Sequence, residues 1–239
     1  MKDLLLVVPS RGRPGSIARL WEAMAATCTG DTTLIVGLDE DDPTAGDYPP
    51  GPVYEVRPGL RQVVAWVNEL AAPEVGNYHR IGHIGDDNLP RTVGWDTAIM
   101  EALEDAPFAF GNDLYPSRVP GTLCCHVFTR SDVIATLGYF GPPSIRHMYV
   151  DVAWYAWGRA TAITFLPDVI LEHLHYTAGK SPADESYAAS TGLIPADLQN
   201  WHAYSRDPAG LNADIAKLSG RPFTPESLAA FNRELFIPG

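Results

Sequence analysis

Gly85-Asp86-Asp87-Asn88 sets three oxygen-bearing side chains in a row after an apolar run. Such groups repel one another unless a cation or hydrogen-bond donors neutralise them. Hard oxygen ligands of this kind suit Mg2+ or Mn2+, ions that also bridge to substrate phosphates. Pro9-Ser10-Arg11-Gly12-Arg13-Pro14 places two guanidinium groups after the first apolar run, and guanidinium binds phosphate oxygens bidentately. An Asx turn also accounts for the first cluster, and a solvated basic turn for the second. Asp151 lies among His147, Met148, Tyr149, Val150, Val152, Ala153 and Trp154. Apolar surroundings disfavour a charged carboxylate and make it a usable general base; capping of a helix over 152–157 is the alternative. In Glu172-His173-Leu174-His175, strand alternation puts His173 and His175 on one face with Leu171. There they offer a metal ligand and a substrate contact, or serve only the structure. Lys180, just beyond, can reach a phosphate or lie in solvent.

Strands and helices must position these groups. Residues 4–8 form a continuous apolar run, as in a strand covered on both faces. Ser16 can cap a helix over 17–26, in which Leu20 and Met24 share a face. Strands are predicted over 32–38, 78–84 and 108–110, and helices over 62–72 and from Pro90 to about residue 103. This alternation indicates βαβ units and a mainly parallel sheet. Further on, strands are predicted over 123–129, 162–166 and 169–175, with a helix over 131–137 stopped by Gly138. From about Lys180 the chain is polar and punctuated by Pro and Gly, with helices predicted near 196–204, 211–218 and 225–235. The expected organisation is an α/β domain over 1–180 and a helical extension over 181–239 that serves as a lid or acceptor region. Ligands of open α/β sheets bind beyond the carboxyl ends of strands. Three acidic or basic clusters fall at such ends, including Asp39-Glu40-Asp41-Asp42.

Composition bounds the partners. The 239 residues are 46% hydrophobic and 19% charged, ordinary globular usage rather than that of a disordered chain. Lys and Arg number 17 against 29 Asp and Glu, a net charge of −12. That disfavours broad attraction to nucleic acid or anionic membrane, although a local basic groove would suffice for DNA. No stretch approaches the roughly 18 apolar residues of a membrane span, and the run at 4–8 is too short for a signal segment. The 3 cysteines, Cys28, Cys124 and Cys125, fit neither a disulfide framework nor a zinc pattern. The expected compartment is a reducing cytoplasm, that of the host if the chain is phage-encoded.

Taken in order, these clusters resemble the GT-A glycosyltransferases, particularly the short family-2-like enzymes of bacteria and phages, over about residues 3–180. Val7 through Pro14 looks like the opening nucleotide-binding strand and loop. Asp39 matches the acid that contacts the base or ribose. Gly85-Asp86-Asp87-Asn88 stands where the family has its DxD motif, with Gly85 in place of the first Asp. The resemblance implies a GT-A-like α/β fold, with Asp87 on Mn2+ or Mg2+ and Asp86 facing the donor sugar or ribose. Pro9, Ser10, Arg11, Arg13, Asp39, Arg61, Asp86 and Lys180 then form the donor-binding set. Tyr149-Val150-Asp151-Val152 resembles the motif holding the catalytic base, reduced here to one acid. Glu172-His173-Leu174-His175 resembles the histidine motif that completes the metal site; the choice between His173 and His175 stays open. The implied reaction moves a sugar from a nucleoside-diphosphate sugar, UDP-sugar favoured, to an acceptor hydroxyl, with inversion if Asp151 is the base. The acceptor is a modified DNA base, a protein or a glycan. A nucleotidyltransferase is the rival enzyme, but 10–15 lacks the longer Gly-rich signature and lysine of such proteins. A Gly-Asp-Asp polymerase palm would need a much longer chain. A non-catalytic nucleotide-sugar-binding protein is the third alternative.

Overall fold

The computed structural model describes residues 1–58, 62–116, 118–123 and 125–237. The expectation for Arg61 therefore lies outside the described residues. The strands are β1 (Lys2–Ser10), β2 (Thr32–Asp39), β3 (Val53–Arg57), β4 (Tyr78–His83), β5 (Asn88–Pro90), β6 (Phe108–Asn112), β7 (Val127–Arg130) and β8 (Ile163–His173). The helices are α1 (Pro14–Thr27), α2 (Val63–Ala71), α3 (Trp95–Asp105), α4 (Ser131–Leu137), α5 (Val150–Ala160), α6 (Glu185–Gly192), α7 (Ile194–Arg206), α8 (Leu211–Lys217) and α9 (Pro225–Glu234).

The strands form one sheet in the order β3-β2-β1-β4-β7-β6-β8-β5. Pairing is parallel from β3 to β4 and between β6 and β8. β7 runs antiparallel to both β4 and β6, and β5 antiparallel to β8. The sheet is thus mixed on the side where the predicted parallel pattern gives out. β1 sits centrally, and Leu4 through Val8 are fully buried. Alternation sends Leu5 and Val7 into a core with Trp66, Trp154 and Trp157, and Leu4, Leu6 and Val8 into a second core with Ile17, Leu20 and Trp95. Two-sided burial is why that run reads as continuously apolar.

Several boundaries differ from expectation, each for a local reason. α1 starts at Pro14, because proline at the first helical position has its φ preset and lacks the N–H that would go unpaired. Ser16 is inside that first turn and accepts from Arg19 instead of capping. Pro90 does not open a helix. Residues 88–90 pair with β8 at the sheet edge, Asn88 opposite His173, where a proline is tolerated. The helix begins only at Trp95, after Gly94 in the left-handed region at φ 77°. The two strands expected over 162–166 and 169–175 are one strand, β8, with a register irregularity opposite Gly111 and Asn112. The strand expected from residue 123 starts at Val127.

The C-terminal helices join the main core. Trp201, Tyr204, Leu211, Ile215 and Phe231 pack in the same cluster as Trp154 and Trp157. Asp197, fully buried, accepts the backbone N–H groups of Arg146, His147 and Met148 at 3.1, 2.9 and 2.9 Å. The loop leading into α5, and with it Asp151, is therefore fixed by α7.

Candidate active site

The turn between β4 and β5 brings its two carboxylates to the carboxyl end of the sheet. Asn88 Oδ1 accepts from the Gly85 N–H at 3.1 Å, and the Asn88 N–H donates to Gly85 O at 3.0 Å. A Cβ at Gly85 would lie 2.6 Å from Asp87 Oδ1 and 2.9 Å from Asn88 Oδ1.

Asp86 is buried and accepts from Ser10 Oγ at 2.7 Å and Arg13 Nη1 at 2.9 Å. Burial pushes its carboxyl up to about 6, against the pull of the Arg13 charge. Asp87 accepts from the Tyr187 hydroxyl at 2.7 Å and faces His173 Nε2 at 3.2 Å. Burial would raise its carboxyl, but the His173 hydrogen bond and charge and the Tyr187 hydroxyl hold it well below the usual range. β8 is pinned beside this turn, because the His173 N–H donates to Asp113 O at 2.9 Å and the Leu174 N–H to Asp87 O at 2.8 Å.

His173, and not His175, meets Asp87. Burial disfavours its protonation, yet the neighbouring Cys125 and Asp87 push it up to about 11. His175 Nδ1 is engaged by Thr177, Oγ1 at 2.7 Å and N–H at 3.3 Å, and its ring packs on Tyr176 and Tyr187. Burial raises the Cys125 thiol, but the His173 charge and a His126 hydrogen bond bring it down to about 6. Cys125 lies together with Asp113 and His173, their ligand atoms within 4.8 Å of one another.

The loop after β1 is bent at Gly12, φ 69°, whose N–H donates to Asp42 Oδ2 at 2.9 Å. Arg11 turns toward the end of β2, pairing with Asp41 at 2.6 Å and Asp39 at 3.3 Å. Asp39 also accepts from Trp66 Nε1 at 3.1 Å. Pro9, the penultimate residue of β1, lies opposite Gly37. Arg13 turns inward, and its remaining guanidinium nitrogens meet Asp184 at 2.8 and 2.7 Å while the plane lies 4.2 Å over the Tyr187 ring. Asp184 caps α6, accepting the Tyr187 N–H at 3.0 Å. Lys180 is drawn away from this group: it pairs with Glu172 at 2.9 Å and donates to Leu114 O at 3.3 Å.

Asp151 stands in the first turn of α5, after Tyr149 in the left-handed region at φ 68°. Its Oδ1 accepts the Val152 N–H at 2.9 Å, but the helix begins one residue earlier, with Tyr149 at its N-cap and no side-chain cap, so Asp151 is not the capping residue; its side chain is half-buried. Burial raises its carboxyl; Arg118 opposes this and Asp113 adds to it. Asp113 in turn accepts from Arg118 Nη1 at 2.6 Å.

The sequence reading missed Asp184, Tyr187, Arg118 and Cys125 as site residues. Only Cys125 carried a signal, as a cysteine adjoining a histidine. The described donor set fits a divalent cation: Asp87 supplies hard oxygen, and the Nε2 of His173 faces it at 3.2 Å.

Neither a protein-family model nor a curated protein sequence matches the chain. Solved structures do. The mannosyltransferase PcManGT from Pyrobaculum calidifontis, in complex with GDP-Man and Mn2+, superposes with TM-score 0.60 at 12% identity, over 99% of this chain and 75% of that one. Glucosyl-3-phosphoglycerate synthase from Mycobacterium tuberculosis, with Mn2+, UDP and phosphoglyceric acid, gives 0.54 at 14% identity, over 83% and 78%. The catalytic domain of Drosophila β1,4-galactosyltransferase 7 gives 0.52 at 13%, over 80% of each chain. The fold is that of the GT-A type nucleotide-diphospho-sugar glycosyltransferases.

Proposed function

We propose that the chain is a divalent-metal-dependent glycosyltransferase that takes a sugar from a nucleoside-diphosphate donor, UDP-sugar favoured, and places it on an acceptor hydroxyl. The observation that carries this reading is the meeting of Asp86, Asp87, His173 and Arg13 at the carboxyl end of a GT-A sheet. Asp87 and His173 would hold Mn2+ or Mg2+; when bound, such an ion supplies Lewis-acid stabilisation of the leaving diphosphate. Arg13 adds charge-assisted hydrogen bonds to the same phosphates once it leaves Asp184. Ser10 and Asp86 orient that guanidinium, and Asp39 with Arg11 faces the nucleoside. Asp151 takes the acceptor proton, which makes the displacement inverting. Its burial favours the neutral carboxyl, so the group is a stronger base than an exposed aspartate. α6 acts as a lid, since Asp184 and Tyr187 cover Arg13 and Asp87.

Donor hydrolysis tests the reading. Incubation with nucleotide sugars should release nucleoside diphosphate slowly, and only with Mn2+ or Mg2+ present. Binding of the donor without any turnover across acceptor panels would return the chain to a sugar-nucleotide-binding protein.

A further inference from the structure

The sulfur of Cys125 stands in a setting that the glycosyltransfer reading does not use. One carboxylate oxygen of Asp113, Cys125 Sγ and a ring nitrogen of His173 all lie within 4.8 Å of one another. Asp113 is buried, the other two residues are half-buried, and β8 is stitched to the Asp113 carbonyl by the His173 N–H. Two N–H groups converge on the sulfur. Asn88 Nδ2 donates to Sγ at 3.5 Å, with its amide orientation set by Oδ1 accepting from Gly85. His126 is fully buried, and its Nε2 accepts the Gly111 N–H at 3.1 Å. A neutral His126 therefore carries its proton on Nδ1, which lies 3.7 Å from Sγ. Such donors to sulfur are the outer partners that orient and tune a metal-bound thiolate. The thiol hydrogen bridges Sγ to Asp113 Oδ2 at 3.6 Å. A cation taking its place would meet sulfur, oxygen and nitrogen together, close to the buried, unpartnered Nδ1 of His173.

We propose that Cys125, with Asp113 and His173, binds a borderline-soft divalent cation such as Zn2+ or Co2+ through a direct metal–sulfur bond. The thiol proton leaves to solvent as that bond forms. Thiolate ligation selects such ions over the hard cations that an all-oxygen site takes. The inference shares His173 with the metal position proposed above, but it stands on the sulfur.

Co2+ titration of the full chain tests it. A sulfur-to-cobalt charge-transfer band should saturate at one equivalent and disappear when Zn2+ is added. The band should persist in Cys28→Ser/Cys124→Ser and vanish on further replacement Cys125→Ser. No such band in the unsubstituted chain, or its survival in Cys125→Ser, overturns the proposal. Should Cys125→Ser fail to fold, zinc X-ray absorption of the unsubstituted chain decides: a sulfur shell at about 2.3 Å supports it, and nitrogen and oxygen scatterers alone contradict it. Mn2+-dependent donor binding, measured in parallel, separates the readings. Donor binding without the cobalt–sulfur band removes this inference alone, whereas the band without donor binding removes the glycosyltransferase reading alone.

Discussion

Asp151 stands in the first turn of α5, where its Oδ1 accepts the Val152 N–H, and presents a half-buried carboxyl under the influence of Arg118 and Asp113. Asp151→Asn keeps the shape and removes the proposed base, so under that proposal turnover should fall by about 10²–10⁴-fold with donor affinity little changed. Steady-state kinetics with a competent acceptor read this; near-normal turnover would leave Asp151 with a structural role only. The same residue carries a pH signature. Its folded carboxyl is raised above 3.8, so the folded state holds the proton more tightly than the unfolded chain. The resulting stability is fully present below about pH 3.8 and is lost as pH rises through the raised folded value. Asp151→Asn escapes that loss, and its stability relative to the parent should increase between pH 3.5 and neutrality. Denaturant melts at several pH values check this, and a pH-independent difference would contradict it. At the histidines, His173→Ala should weaken metal affinity by about 10-fold or more, and His175→Ala much less. Isothermal titration with Mn2+ distinguishes them, equal effects counting against the assignment. Asp87 and His173 were legible as candidates because acid and imidazole types sit at strand ends. The preference for His173 over His175 was not, since it depends on Asn88 pairing opposite His173 and on Thr177 occupying the other ring.

α6 buries only Tyr187 among its residues, which is why no apolar periodicity announced it. β3, a half-exposed edge strand framed by Pro and Gly, was invisible for the same reason. By contrast α4 was readable to the residue, having a buried stripe and Gly138 in the left-handed region at φ 87° as its stop. The missed helix is the one that covers the site. Asp184 occupies two nitrogens of Arg13, so a donor diphosphate bound as proposed competes with it. Asp184→Asn should therefore tighten donor binding by roughly 2- to 5-fold, the range of a partly exposed ion pair. It should also speed hydrogen exchange across 185–192. Weakened donor binding with unchanged exchange would show that α6 closes onto the donor instead of competing with it.

Across the whole molecule, sheet and C-terminal helices share one core. Most of the parallel half of the sheet was written in the apolar runs of β1, β2 and β4, whereas the antiparallel β7 and the burial of Trp201 and Phe231 come from long-range packing that no local pattern encodes. Asp197 links the two parts through three backbone N–H groups of residues 146–148. Asp197→Ala should cost about 2 kcal/mol, because the half-buried His147 and Met148 N–H groups lose their acceptor and a buried donor left unpaired costs about 1–3 kcal/mol. A chain ending at residue 180 should not fold cooperatively; a cooperative melt of that fragment would establish 1–180 as an independent domain. No helix of the described residues is long and apolar enough to cross a membrane, and the net charge of −12 makes a broad nucleic-acid surface unfavourable. The central claim is that Asp87 and a divalent cation together hold a nucleoside-diphosphate sugar. Thermal unfolding across a panel of nucleotide sugars, with and without Mn2+, in the parent and in Asp87→Ala, tests it most directly, since a bound donor stabilises the folded state by RT ln(1 + [L]/Kd). The account predicts stabilisation by at least one nucleotide sugar that requires Mn2+ and is lost in Asp87→Ala; stabilisation that is indifferent to both, or absent with every donor, would contradict it.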